Sequence, residues 1–370
     1  MEEQKTLTKG QRVHRPYRSN LVVNDMGADG SYTRQALTDV DEYLDVDKKK
    51  EVTFNAVDYE KIQHNYNFVN EYADEAGERL GEQMDANYLA EIVNAYQDVD
   101  DADVSGGTAD NGITVSESNV YKLFTVASKK LSKINVPMAN RVAVLSPDVI
   151  EKLDEFKIAR DTQDGDRTLT NGFTGVKVLG FDVYMSNALP FTTKLLMGTV
   201  PTAGDTVVIN GVTFTFRDTG DVNSAGEVYY GLSAAAAVDN LVASINAPLT
   251  ASSGIFYPVS AADALKLSNI SAADGTTYLT ITAKGAGSID VSETLSATAD
   301  VFTTALQIQH NYFGRRGATD MVVQKYPSML MLPRSGYVST DVVQWALYGL
   351  KTFTEGTKEI VDVKIAASTF

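Results

Sequence analysis

The stretch Phe68-Val69-Asn70-Glu71-Tyr72-Ala73-Asp74-Glu75-Ala76-Gly77 opens a row of apolar side chains that continues through Leu80, Met84, Tyr88, Ile92 and Tyr96, one at every fourth position. Val69, Ala73, Leu89 and Val93 widen the row into a stripe. This spacing predicts one long helix, starting near Asp58 as N-cap and ending near Tyr96. A four-residue row drifts by about 40° per step on a 3.6-residue helix, so the stripe must wind about the axis. At 1.5 Å per residue the helix would reach roughly 55 Å. Gly77 and Gly81 let a second backbone come close. A helix of that length is a strut and not part of one small core.

Outward from the strut, residues 21–58 read as an extended hairpin. Leu21-Val22-Val23 is apolar, Gly27 to Gly30 is a turn cluster, and Glu51-Val52-Thr53-Phe54 alternates. An acidic run, Asp39 to Asp47, precedes Lys48-Lys49-Lys50. Before it lies a basic arm, residues 1–20, with Arg12, Arg15, Arg18 and little to bury. Its sign is opposite to that of the whole chain, so it either stays solvated or orders against an acidic neighbour.

On the C-terminal side, Asp98, Asp100, Asp101 and Asp103 resemble a calcium loop but lack its glycine and terminal glutamate at the required spacing. A solvated loop is the plainer reading. Ser116 then caps a helix carrying Val120, Leu123, Phe124, Ala127 and Leu131. Arg141 to Leu145 is a buried strand, and Ser146-Pro147 opens another helix. Val176 to Tyr184 reads as a strand interrupted at Gly180.

Composition changes between about Leu195 and Leu306. Lys and Arg shrink to Arg217, Lys266 and Lys284, while Thr, Ala, Ser and Gly dominate. Thr206 to Phe216 is a hairpin about Asn210-Gly211, because that pair accepts the positive φ angles of a type I′ turn. Ser233 caps a short helix, and Tyr278–Ala283 and Ser288–Val291 return as strands. The segment reads as a self-contained β-rich module inserted into a loop. Beyond it, His310 to Gly317 reads as a polar, glycine-flanked loop containing Arg315 and Arg316. Met321–Val323 and Ser328–Leu332 read as strands, and Trp345–Lys351 with Ile360–Ile365 as a closing hairpin-like pair.

Chemistry is poorly provided for. The 370 residues include no cysteine and only His14, His64 and His310. Thiolate nucleophiles, thiolate metal sites and disulfides are therefore excluded. No phosphate-binding loop, dinucleotide fingerprint or His-Glu-x-x-His helix occurs. With 48 acidic residues, an Asp/Glu pair carries no information. We expect no catalytic residue, no cofactor and no metal. A net charge of −16 repels phosphate backbones, so sequence-specific nucleic-acid binding is not expected. Neither a signal peptide nor an apolar run of 18 residues is found, so no membrane span is expected.

The order of these blocks resembles the major capsid proteins of tailed bacteriophages. The residues that carry it are Tyr43-Leu44-Asp45-Val46-Asp47 through Phe54, Glu71 to Gly77 with Met84-Asp85, Leu131 to Pro137 with Arg141 to Pro147, Gly180 to Pro190, and Tyr348-Gly349 with Ile360 to Ile365. The resemblance implies an α+β phage capsid fold with an inserted small β-rich domain. It divides the chain into an N-terminal arm (1–20), an extended loop (21–58), a spine helix and peripheral domain (59–98), an axial domain (99–195), the insertion (196–306), a continuation of the axial domain (307–340) and C-terminal strands of the peripheral domain (341–370).

The implied function is structural and non-enzymatic: self-assembly into pentamers and hexamers of an icosahedral head shell around the phage genome. The implied partners are the chain itself, scaffolding and portal proteins and a decoration protein. The implied location is the virion, after synthesis in the bacterial cytoplasm. Candidate intersubunit contacts are Arg12, Arg15, Arg18, Lys48, Lys49, Lys50, Arg315 and Arg316. Two alternatives stay open at this point: an encapsulin-like compartment shell, and a virion protein whose inserted domain binds host-surface glycans.

Overall fold

The computed structural model describes residues 10–18, 21–36, 39–57, 68–160, 177–275, 278–284, 289–297, 300–302 and 307–366. The chain forms two compact units, residues 1–84 with 317–359, and residues 85–316 with 360–370. These divisions fall at 84/85, 316/317 and 359/360, whereas the sequence places breaks at 98, 306 and 340.

The first unit holds two sheets. Strands β1 (Arg12–Arg18) and β2 (Asp39–Asp45) form an antiparallel ribbon. Strands β3 (Lys48–Val57), β16 (Asp320–Pro333) and β17 (Ser339–Lys351) form a three-stranded antiparallel sheet in the order β16-β17-β3. Helix α1 (Phe68–Ala90) lies on this sheet. Its Val69 packs with Phe54 and Val342, its Met84 packs with Val323 and Tyr348, and the Gln344 amide donates to the Ala73 carbonyl at 2.6 Å.

Three expectations change here. The 21–58 segment is not one hairpin: Leu21, Val22 and Val23 are exposed, β2 pairs with β1, and β3 pairs with β17. The basic arm supplies a strand, held to β2 by the Arg12–Asp45 pair directly across the ribbon and to β16 by Arg15 bonding Asp320. The helix also ends sooner than Tyr96, passing at Ala90 into a 3₁₀ turn, Glu91–Asn94. Of the buried stripe, Val69, Ala73, Ala76 and Leu80 follow 3-4 spacing, while Tyr72 and Tyr96 are 52% and 64% exposed. In Tyr72 that is the drift of a strict four-residue row, which rotates off the packed face, whereas Tyr96 lies beyond the helix and its 3₁₀ turn. The expected N-cap at Asp58 lies outside the described residues.

The second unit is built on a nine-stranded mixed sheet. Its path is β12-β13-β8-β15-β5-β7-β6, with β18 joined to β15 and β4 joined to β18. The strands are β4 (Gln97–Val99), β5 (Arg141–Leu145), β6 (Lys177–Val178), β7 (Phe181–Met185), β8 (Phe191–Leu196), β12 (Ile270–Asp274), β13 (Tyr278–Ala283), β15 (Ile308–Arg315) and β18 (Ile360–Ala366). The short helix α2 (Asp101–Val104) is capped by the Asp100 side chain. Helices α3 (Val120–Lys133) and α4 (Pro147–Arg160) share a core with the sheet. Five α3 residues named from spacing, Val120, Leu123, Phe124, Ala127 and Leu131, are each fully buried. Phe313 lies 5.2 Å from Phe124 and 5.4 Å from Phe181, both edge-on. Such pairs add about 0.5–1.5 kcal/mol each beyond their burial.

Inside the 196–306 window, β9 (Thr206–Ile209), β10 (Val212–Arg217), β11 (Glu227–Tyr229) and β14 (Val291–Glu293) make a separate four-stranded sheet. Asn210 and Gly211 turn β9 into β10 with φ of 49° and 72°. Helix α5 (Ala234–Asn246) is capped by Ser233, as the sequence indicates, and α6 (Ala261–Lys266) by Ser260. The window also lends strands to its surroundings. β13 pairs with β8 from Tyr278/Leu196 to Ala283/Phe191, and the local core includes Phe191 and Leu195. Asp300 closes the neck: its carboxylate accepts the Gly198 amide at 2.7 Å and the Thr199 amide at 3.2 Å.

Two further corrections concern the C-terminal third. His310 to Arg315 is a central strand and not a loop. Its His310 and Asn311 side chains are buried because His310 bonds Asp362 and Thr192 and the Asn311 Oδ1 accepts the Ser146 amide. Trp345–Lys351 and Ile360–Ile365 do not pair with one another; β17 joins β16 and β3, while β18 joins β15 and β4.

Candidate subunit-contact surfaces

The β1–β2 ribbon is a ladder of opposite charges. Its register sets Arg12 opposite Asp45, Arg15 opposite Glu42 and Arg18 opposite Asp39. Arg12 grips Asp45 with two bonds, Nε to Oδ1 at 2.7 Å and Nη2 to Oδ2 at 3.1 Å. The bonded guanidinium holds the Asp45 carboxyl below its ordinary range, and Asp45 raises Arg12 in return. Arg12 also stacks 3.7 Å above the Tyr43 ring. Arg15 bonds Asp320 at 2.7 Å and lies 5.1 Å from the Phe353 ring. Both cations are thus engaged within their own chain.

Strand geometry divides the lysine triplet. Side chains alternate across a strand, so Lys49 points to the face opposite Lys48 and Lys50. Lys49 is exposed and Lys48 bonds Asp47 at 3.3 Å. Lys49 shares the outer face of the sheet with Glu51, Leu347, Trp345, Val343, Leu330 and Leu332 by register. On β17 the opposite face is sealed, with Val342, Ala346 and Tyr348 at 1% exposure or less, whereas this end of β16 is exposed on both faces, Met331 and Leu330 being 47% exposed alike. Lys325 sits 5.8 Å from the Trp345 ring. This apolar row rimmed by cations escaped the sequence reading, since its members come from strands separated in the chain.

Arg315 ends β15 and Arg316 follows it. The Arg316 amide donates to Asn140 at 3.0 Å, and its guanidinium donates to the Tyr184 hydroxyl.

Two polar clusters invite a chemical reading. Asp98, Asp100 and Asp110 place carboxylate oxygens within 4.8 Å of one another. Yet Lys364 donates to Asp98 and, at 2.8 Å, to Asp110, while Asp100 accepts the Asp110 amide at 2.7 Å. Burial alone would lower the Lys364 pKa; its bonds to Asp110 and Asp98 outweigh that and push it up. A lysine therefore balances the charge that a cation would balance in a calcium loop. Secondly, His310 bonds Asp362 through Nδ1 at 2.7 Å and Thr192 through Nε2 at 2.8 Å. All three residues are under a tenth exposed, so the hydroxyl is not presented to solvent and the trio staples β8, β15 and β18. The sequence singled out Asp98 and Asp100 but not Asp110 or Lys364, and it did not join His310 to Thr192 and Asp362, because these partners are remote in the chain.

The chain can now be set beside known proteins. A sequence model described as phage capsid protein matches residues 48–244, more than half of the chain. That match runs from β3 through β8 to α5. No curated protein matches the chain in sequence. Among solved structures, a chain from Mycobacterium phage Che8 is 16% identical with a TM-score of 0.54, over 96% of this chain and 85% of that one. The cyanophage P-SCSP1u capsid is 13% identical with a TM-score of 0.53, over 98% and 86%. The mature capsid of bacteriophage PhiM1 is 10% identical with a TM-score of 0.52, over 97% and 83%. These likenesses show a common α+β fold across nearly the whole length. The chain belongs to the phage capsid protein family and is a structural, major capsid protein.

Proposed function

We propose that copies of this chain tile as pentamers and hexamers into an icosahedral head shell that encloses the phage genome without reading its sequence. The observation that carries this is the family match over residues 48–244 on a fold that exposes several unlike surfaces. A closed shell needs heterologous contacts, in which each copy offers different, complementary patches. The charged ribbon, the Trp345 row and the Arg316 corner are such patches. No catalytic step is assigned to any residue.

In this reading the chain is made in the bacterial cytoplasm and resides in the virion, with scaffolding, portal and decoration proteins as partners. Residues 196–306 act as an insertion within the axial domain. Of the candidate cations, exposed Lys49 and Arg316 are the best placed to reach a neighbour. Arg12, Arg15 and Arg18 contribute by holding the ribbon in shape or by sharing their acids across the contact, and Lys48, Lys50 and Arg315 support the same edges.

The test is a Lys48→Gln, Lys49→Gln, Lys50→Gln triple variant compared with the unaltered chain by sedimentation over a range of salt. Loss of particles at unchanged melting temperature is expected. Equal particle yield and equal salt sensitivity overturn the role given to the triplet.

A further inference from the structure

Five non-glycine residues among those described have positive φ: Asp110, Asn135, Asn140, Asn210 and Leu179. Four are Asn or Asp, whose short polar side chains tolerate the left-handed region. Leu179, at φ 47°, is the exception. It forms with Gly180, φ 86°, the turn between β6 and β7, which pair at Lys177/Asp182 and Val178/Phe181. The same chain builds its other turn of this kind from Asn210-Gly211. A leucine here is strained where an asparagine would not be, and it is 44% exposed, so burial within the chain does not repay the strain.

Its surroundings point outward too. β6 covers only the first two residues of β7, and among the described residues no strand flanks Val183–Met185 on that side. Tyr184 and Met185 on this edge are 47% and 57% exposed. Arg316 bonds the Tyr184 hydroxyl and Lys177, whose side chain is 73% exposed, pairs with Asp182 at 3.4 Å. Among the described residues, Lys177 and Arg316 against Asp182 leave this edge with a positive excess on a chain of net charge −16.

We propose that the β6–β7 edge is a docking surface for a second copy of this chain, with Leu179 as its apolar anchor and Arg316 and Lys177 as its charged rim. This rests on the shell reading and names one of its contacts. Charge selects the occupant: a copy of an acidic chain presents mostly carboxylates to a basic rim. Phosphate would satisfy the cations, but Leu179 and Met185 would gain nothing from it.

The test exploits opposite signs. Leu179→Asn relieves the turn, so the melting temperature of the unassembled chain is expected to rise by about 2–4 °C. The same variant loses the anchor, so copy–copy affinity read by sedimentation is expected to fall about tenfold. Met185→Ser, which leaves the turn alone, should weaken assembly without raising the melting temperature. Higher melting temperature with undiminished assembly overturns the proposal, as does normal assembly with less nuclease-protected DNA, which would assign the edge to the genome. An unaltered chain that forms no particles overturns the shell reading and this contact with it, whereas normal particles from both variants overturn the contact alone.

Discussion

Replacing Asp300 tests how the 196–306 segment is held at its neck. Asp300 is 2% exposed and accepts the amides of Gly198 and Thr199 together with the Thr199 hydroxyl. Alanine leaves two amides without their acceptor. A hydrogen bond to a charged group contributes about 1.5–3 kcal/mol, and since Gly198 and Thr199 are exposed and water takes over part of the role, the loss of both bonds is about 3 kcal/mol. In a unit of this size about 1 kcal/mol moves the melting temperature by about 2–4 °C, giving a drop of about 6–12 °C. Asparagine keeps one carbonyl oxygen and should cost about half as much. Calorimetry measures both shifts, and hydrogen exchange should show the Gly198 and Thr199 amides losing protection first. An alanine variant melting within about 2 °C of the unaltered chain, or an asparagine variant worse than alanine, refutes the reasoning.

Three more outcomes are expected. Burial alone would raise Asp205, but bonds from Ser296 and Thr202 outweigh it and hold its pKa below the ordinary 3.8; Glu227 is likewise held below 4.5, burial being outweighed by the Asn223 and Ser224 amides and Arg217. The unfolded chain then binds protons more readily, so stability complete above pH 4.5 drains as pH falls through 3.8, and Asp205→Asn should flatten that part of a melting-temperature profile. Lys364→Met removes the cation between Asp98 and Asp110, whose side chains are 42% and 65% exposed, so solvent screens them and the cost in denaturant unfolding should be about 1 kcal/mol, against no change if the cross-link is idle. Phe313→Ala opens the Phe124–Phe181–Phe313 core and should cost about 3–5 kcal/mol, enough to leave the chain insoluble; a soluble variant with a small shift contradicts the packing described.

What the sequence made legible was local. The α3 stripe needs only 3-4 spacing, and the Asn210-Gly211 turn needs only its two residues. Pairings between distant segments were not legible. β13 lies beside β8 some eighty residues away, and β18 reaches β4 in parallel, which no hairpin signal announces. β15 was misread because His310 and Asn311 look solvated until Asp362 and Thr192, and the Ser146 amide, supply their partners. The basic arm and the acidic run were visible as opposite charges, yet their pairing within one chain depends on the register of β1 against β2. Of the contact candidates, the residue types were readable, but alternation divides Lys49 from Lys48 and Lys50, and the Trp345 row exists only once three strands are aligned.

The central claim is that this polypeptide acts by enclosing a volume. Electron microscopy of the purified, correctly folded chain, with the particle mass determined on the same sample, tests it most directly. Closed hollow particles of uniform diameter, each containing hundreds of copies or a smaller fixed number compatible with icosahedral symmetry, are the expected result. Folded material that stays monomeric at every concentration and salt, or that polymerises only into open sheets and fibres, contradicts the account.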